Sequence, residues 1–431
     1  MVRVLKINAS ARPTVDTVLA TDELPGFESV SSMARRSNAI AAINGDYSRP
    51  SGRPVFTFAR DGRLDQDAAI VPETGFPLYG RNFSVDQSKS SVFMTHPQAR
   101  YWFWVPGPNG GASHRIHRMN DRSIQAHAAS QIRAFTSVGG TEERPPFGGC
   151  YVHLNARQKP QATNPTHAPR RGGSPHPVSG IERNYGVDKS VCRYQRVMPN
   201  GGITLYTPRY GDRSHILRSM SVGSKVVFGW SLGWPDVFDT VGGNPTLIEN
   251  GKVQKQSIRG SSSFVSGRHP RTAVAYNSRT NRLFFVTVDG RQPSYSRGMT
   301  LAGLTYFLRR RLGATDALNL DGGGSTTMVV NGKIKGRPSD GSERRVSSAI
   351  VVLPGRDPGE QGATGMSSEH SFAAVPPSEL QSIESPHDEM IQDPASVGGL
   401  SVWLEQEGHE LPGFLQRTAD DFRAAHGLAT D

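Results

Sequence analysis

No apolar run in the 431 residues approaches the ~18 needed for a membrane-spanning helix. The longest candidates, such as Ala349 to Leu353, have the length of a strand, so a helical membrane span is excluded. The N-terminus, Met1-Val2-Arg3-Val4-Leu5-Lys6-Ile7, lacks the basic stretch and apolar run of a signal peptide and alternates like a strand. That pattern suits a cytoplasmic protein or the mature form of an exported one. Cysteine is almost absent. Cys150 and Cys192 lie 42 positions apart, without the short paired spacing of a zinc or redox site. They are either two buried thiols or a crosslink closing a loop of ~43 residues, worth ~4 kcal/mol and implying an oxidising compartment. Lysine is scarce too, with 9 against 40 arginines. What is abundant is glycine, 47 residues, and proline, 30 residues. That excludes long helical bundles and coiled coils, falls short of collagen, and favours a turn-rich, strand-rich fold.

The net charge of +11 is unevenly spread. Residues 357 to 431 carry 14 Asp or Glu and only Arg417 and Arg423, a net of −12, so the first 356 residues carry +23. A surface that cationic concentrates anions by long-range steering, and arginine suits forked contacts to phosphate. Alternating β-rich runs and Gly, Pro, Asn and Asp turns up to about residue 354 predict an α+β fold: a mixed, mostly β-sheet core with a few helices packed on it. Three units are expected. These are a catalytic-type domain over 1–354, a disordered linker over 355–399, and an acidic tail over 400–431 with a short helix from about Pro412 to Ala425. The proline- and arginine-rich stretch from about 155 to 189 reads as a basic surface-loop insertion. The core is expected to fold without residues 357–431, while the tail either docks on the cationic core, meets a partner, or does neither.

Helices are expected over about Ser31 to Asn38 and from Thr300, the second with Leu301, Leu304, Phe307, Leu308 and Leu312 on one face and Arg309, Arg310 and Arg311 in its last turn. Each leads into a strand ending in Asn-x-Asp: Asn44-Gly45-Asp46 and Asn319-Leu320-Asp321. The period of two puts the Asn and Asp of each pair on one face, as ordinary turn chemistry or as a shared rim. Gly322-Gly323-Gly324 follows Asp321 and removes every Cβ from a tight turn. Its successive N–H groups, with the hydroxyls of Ser325, Thr326 and Thr327, suit an anionic ligand.

Together with Asn44-Gly45-Asp46-Tyr47, other stretches complete a distinctive set. They are Gly242-Gly243-x-Pro245-x-Leu247, Pro270-Arg271-Thr272-Ala273-Val274, Val288-Asp289-Gly290-Arg291, Ser296-x-Gly298-Met299-Thr300, Asn319 to Met328, Pro338-Ser339-Asp340-Gly341 and Glu343-Arg344. This set resembles the phosphodiester glycosidases over roughly Met1 to Leu353, most strongly from Asp239 onward. The resemblance implies cleavage of a sugar C1–O–P linkage to free sugar and phosphomonoester, N-acetylglucosamine-1-phosphodiesters being one substrate class. It also favours an extracytoplasmic location. Such chemistry needs a carboxylate near the anomeric carbon and neutralisation of the leaving phosphate. The expected assignments are Asp321 as that carboxylate, with Asp46 or Asp289 as its partner. Arg271 and Arg291 are expected on the phosphate, with Asn44, Thr272, Asn319, Gly322, Gly323, Gly324, Ser325 and Thr326 around the substrate.

Two other function classes fit part of this pattern. A metal-dependent phosphodiesterase or nuclease would use Asp46, Asp289 and Asp321 as hard oxygen ligands for a divalent cation. The 13 scattered histidines form no metal motif, so no cofactor is fixed beyond that candidate divalent cation, and nucleic acid is the less favoured partner. A non-catalytic binder of anionic glycan would keep the basic surface and tolerate loss of Asp321. The sugar, the anomer, the stereochemical outcome and the oligomeric state leave no mark in the sequence.

Overall fold

The computed structural model describes residues 1–8, 14–67, 80–86, 92–95, 99–108, 110–121, 130–140, 144–157, 161–163, 180–194, 196–233, 237–259, 262–354 and 400–405. They form the expected mostly-β architecture of four sheets with a few short helices. The linker expected at 355–399 and the helix expected at 412–425 lie outside the described residues.

A seven-stranded sheet runs Lys252–Val253, Thr246–Glu249, Asp316–Asn319, Arg271–Asn277, Arg282–Val288, Val2–Asn8, Leu400–Glu405. The last strand pairs antiparallel with the first residues of the chain, Val2 opposite Glu405, so part of the acidic tail is a strand on the edge of this sheet. A five-stranded sheet holds Thr14–Leu19, Ser348–Leu353, Ala41–Asn44, Met328–Val330 and Lys333–Lys335, and another is built around Val237–Gly243. Inward side chains of all three, among them Ile7, Ile43, Phe58, Phe83, Val241, Val274, Phe285 and Ile350, share one core. Alternation sends their neighbours outward: Ala273, Ala275 and Val286 meet Leu301, Leu304 and Leu308 of the helix Leu301–Arg310, while Ala42 and Val351 meet Met33 and Ala34 of Val30–Arg36. Both helices are capped at their N-termini by hydroxyls, Thr300 Oγ1 accepting from the Gly303 N–H at 3.0 Å and Ser29 Oγ from the Ser32 N–H at 3.2 Å.

This packing fixes where the strands end. Arg271–Asn277 is antiparallel to both Arg282–Val288 and Asp316–Asn319, so the last two are parallel and the helix between them is a crossover. Asp289, Asp321 and Arg271 therefore emerge at one edge of the sheet.

The nine-stranded sheet, with its own core of Phe103, Val152, Leu154, Ile181, Leu205 and Trp230 among others, corrects the expected insertion. Residues 155–189 are not loop throughout. Gln161–Thr163 and the 14-residue strand Gly180–Arg193 pair within them, and Ile181 to Gly186 pair with Lys225–Ser231. Ile181, Tyr185 and Val187 point into that core, an alternation masked in the sequence by the surrounding charges. In the same sheet Cys150 stands opposite Cys192 and the two form a disulfide. Closing a loop of that length constrains the unfolded chain, so replacing both cysteines by serine should lower unfolding stability by up to about 4 kcal/mol in denaturant titrations. The same loss should appear when the wild-type protein is reduced, and an unmoved midpoint in both cases would contradict it.

Candidate active site

The two Asn-x-Asp passages meet. Asn44 is fully buried, and its Nδ2 donates to the Asp321 carbonyl at 2.7 Å. Its Oδ1 accepts from Thr272 Oγ1 at 2.8 Å and from the Thr327 N–H at 3.1 Å. The Asp321 N–H in turn donates to the Gly45 carbonyl at 3.2 Å, and the Gly323 N–H to the Pro270 carbonyl at 2.9 Å. One amide side chain thus ties the rim of the seven-stranded sheet to that of the five-stranded sheet, leaving Asp46 and Asp321 near enough to repel each other.

Their environments differ. Asp46 is buried, with Oδ2 accepting from the Phe56 N–H at 2.6 Å and Oδ1 left without a hydrogen bond. Burial, and then repulsion from Asp321, pushes its carboxyl well above the usual carboxylate range against the pull of the Phe56 and Tyr47 amides. Asp321 is partly accessible. Burial raises it to about 6, a rise held in check by a hydrogen bond from Ser325, the charge of Arg344 and the Gly322 amide. Two carboxyl groups whose ionisation is driven apart make an acid and base assignment possible.

The triple glycine is cradled by guanidinium groups. Gly323 has φ of +61°, and a Cβ built there would lie 3.2 Å from both terminal nitrogens of Arg291. Arg291 itself sits in the left-handed region at φ +59° and is exposed. On the other side, a Cβ at Gly324 would collide with Asp340 Oδ2 and the guanidinium of Arg344. Asp340 holds Arg344 by an ion pair, accepting from its Nε at 2.8 Å. Exposed cations on both sides of a Cβ-free turn are suited to an oxyanion.

Several of the expected site residues are engaged by other groups of the protein. Asp289 is buried in an ion pair with Arg3, whose Nη2 also donates to Tyr295 Oη at 2.6 Å. That pair ties the N-terminal strand to this end of the sheet. Arg271 donates Nε to the Met299 carbonyl at 3.0 Å and Nη2 to the carbonyls of Phe264 and Gly267 at 2.7 and 3.1 Å, over the Phe264 ring. Its fork is spent on backbone, and burial lowers it to about 10. Thr272 gives its hydroxyl to Asn44. Asn319 Nδ2 donates to Tyr47 Oη at 2.7 Å and to the Asn244 carbonyl at 2.9 Å. Ser325 serves Asp321. Tyr47, Asn244 and Arg344 were absent from the expected set. Tyr47 and Arg344 stood in the quoted motifs, but only the folded arrangement brings the 338–345 turn over Gly324.

Unpartnered buried polar atoms gather here: Asp46 Oδ1, Asn244 Oδ1, Asn319 Oδ1, Thr326 Oγ1 and Thr327 Oγ1. A buried polar atom left unpaired costs roughly 1–3 kcal/mol, so a concentration of them around one rim marks a place where a polar ligand or water belongs. Among the described residues no group of three or more His, Cys, Asp or Glu is arranged to hold a metal ion.

The chain is similar to several known proteins. Residues 185–353 match the family described as phosphodiester glycosidase. The chain is 33% identical over 289 residues to the mouse N-acetylglucosamine-1-phosphodiester alpha-N-acetylglucosaminidase, covering 58% of this chain and 51% of the relative. It is also 33% identical over 285 residues to the cattle protein of that name, covering 58% and 50%. The chain thus spans about half the length of the curated relatives it matches. Its fold is shared with a hypothetical protein from Synechocystis, at TM-score 0.55 and 18% identity over 81% of this chain and 58% of that one. A putative exported protein from Burkholderia pseudomallei gives 0.54 and 21% over 82% and 74%.

The geometry at Gly324 makes a direct prediction. Gly324→Ala should displace the Asp340–Arg344 pair while leaving the sheets intact, so affinity for a phosphate-bearing ligand should fall at least tenfold with the thermal midpoint shifted little. Unchanged affinity, measured by calorimetry, would remove Arg344 from the site.

Proposed function

We propose that this chain, whose residues 185–353 match the phosphodiester glycosidase family, hydrolyses a sugar C1–O–P linkage to free sugar and phosphomonoester. The observation that carries this reading is the juxtaposition of Asp46 and Asp321 beside a triple-glycine turn flanked by Arg291 and Arg344. In this reading the substrate phosphate lies on the Gly322 to Gly324 turn between the two guanidinium groups. Asp321, ionised above about pH 6, faces the anomeric carbon and stabilises the cationic centre that develops as C1–O breaks. Water supplies the oxygen that ends on C1, and the electron pair of the broken bond leaves with the phosphate. A phosphomonoester is a good leaving group, so neutralising its charge matters more than protonating it. Asp46, kept neutral by burial, holds a proton beneath Asp321 without adding a second negative charge. N-acetylglucosamine is the first sugar to try, from the names of the mouse and cattle relatives.

Asp321→Asn keeps the shape and deletes the charge, so kcat should fall by ~10² or more with KM little changed. In the wild type kcat/KM should fall as pH drops through about 6, where Asp321 takes up a proton. Stability should move oppositely. The unfolded chain ionises this Asp near 3.8 and the fold near 6, so ionisation favours unfolding: its cost is absent below 3.8 and complete above 6. Asp321→Asn should therefore be more stable than wild type at pH 7.5 and show no such gain at pH 3.5. Near-normal turnover in Asp321→Asn would take that residue out of the chemistry.

A further inference from the structure

Six large apolar side chains stand out as exposed among the described residues, and four of them, Phe147 (64%), Tyr194 (64%), Met198 (43%) and Tyr210 (80%), fall on three segments of one region. These segments meet at an end of the nine-stranded sheet, where Gly149 stands opposite Arg193 on one side and Pro208 on the other. The guanidinium of Arg209 lies over the rings of both Tyr194 and Tyr210, with 5.2 and 5.4 Å to their centroids. Arg218 donates to the Arg209 carbonyl at 2.7 Å. The Cys150–Cys192 disulfide crosslinks the adjacent rung, so Phe147 and Tyr194 flank a covalently fixed pair of strands. Segments 144–150, 191–199 and 208–219 contain six arginines against the single acid Asp212.

Exposed aromatic clusters of this kind are uncommon on a surface that meets only water. A purely apolar partner would leave the arginines unanswered, and a small anion would leave the rings unused. Rings interleaved with arginine fit a polymer that alternates flat faces with negative charges, since rings stack and guanidinium groups pair with phosphate. We propose that this platform binds a polymer of sugars joined through phosphodiesters, holding it while units are cleaved at the rim. None of the platform residues belongs to that rim. The identity of the polymer rests on the glycosidase reading above; the platform itself rests on the exposed rings and their charge.

The test uses the full chain and the double variant Tyr194→Ala/Tyr210→Ala, whose exposed positions spare the fold. Each is titrated against immobilised phosphomannan with C1–O–P diesters, neutral mannan of the same length, and oligothymidylate. Wild type should hold phosphomannan at least tenfold tighter than mannan and tighter than oligothymidylate, weakening as salt rises. The double variant should lose tenfold or more in phosphomannan affinity. No retention of phosphomannan by wild type, equal binding of neutral mannan, tighter binding of oligothymidylate, or an unaltered double variant would each overturn the proposal. Turnover of a small sugar-1-phosphodiester is measured separately and should be equal in both proteins. Its absence from both would count against the hydrolase, not against the platform.

Discussion

The site depends on the buried amide of Asn44. Three bonds from one side chain, to Asp321, Thr272 and Thr327, join the edges of two sheets that share an apolar core, alongside the Asp321 N–H to Gly45 carbonyl bond and the Asn319 to Tyr47 bond. Apolar contact is non-directional and would hold the sheets together without setting their register at the rim. The amide sets it, and with it the approach of Asp46 to Asp321. Tyr47 and Asn319 extend the same logic one layer down, each satisfying the other and the Asn244 carbonyl.

Around this anchor the molecule separates charges that hold structure from charges open to a ligand. Arg3 with Asp289 and Arg271 with its three carbonyls are buried and answered inside the protein. Arg291 and Arg344 are exposed and converge on a turn with no Cβ. Burial pushes the Asp46 carboxyl well above the usual carboxylate range, while a hydrogen bond from Ser325 and the charge of Arg344 limit the rise at Asp321 to about 6. Two copies of one strand ending, Asn-x-Asp, thereby sit in unlike electrostatic environments.

Much of this was legible in the chain. The β-rich class and both helices followed from periodicity, and the repeat of Asn-x-Asp at two strand ends offered a shared rim as one of two readings; the crossover aligns ends within each sheet, and the meeting of the two sheets is a product of the fold. What was not legible was which polar side chains the protein would use on itself. Asp289, Thr272 and Asn44 have the right types in the right motifs, but their partners Arg3, Asn44 and Asp321 lie more than 200 residues away, while Arg271 turns its fork on nearby backbone carbonyls, which carry no side-chain signal. Arg344 was hidden because only the fold brings its turn over Gly324. The strand 180–193 was obscured because Glu182, Arg183, Asp188 and Lys189 interrupt the apolar series Ile181, Tyr185 and Val187.

Hydrolysis of a sugar-1-phosphodiester in water labelled with oxygen-18, with products followed by phosphorus NMR and mass spectrometry, tests the central claim most directly. Cleavage at C1–O places the label on the anomeric hydroxyl of the released sugar and leaves the phosphomonoester unlabelled, as this account predicts. Label in the phosphate, or a sugar phosphate as product, would mean that water attacks phosphorus and would contradict it.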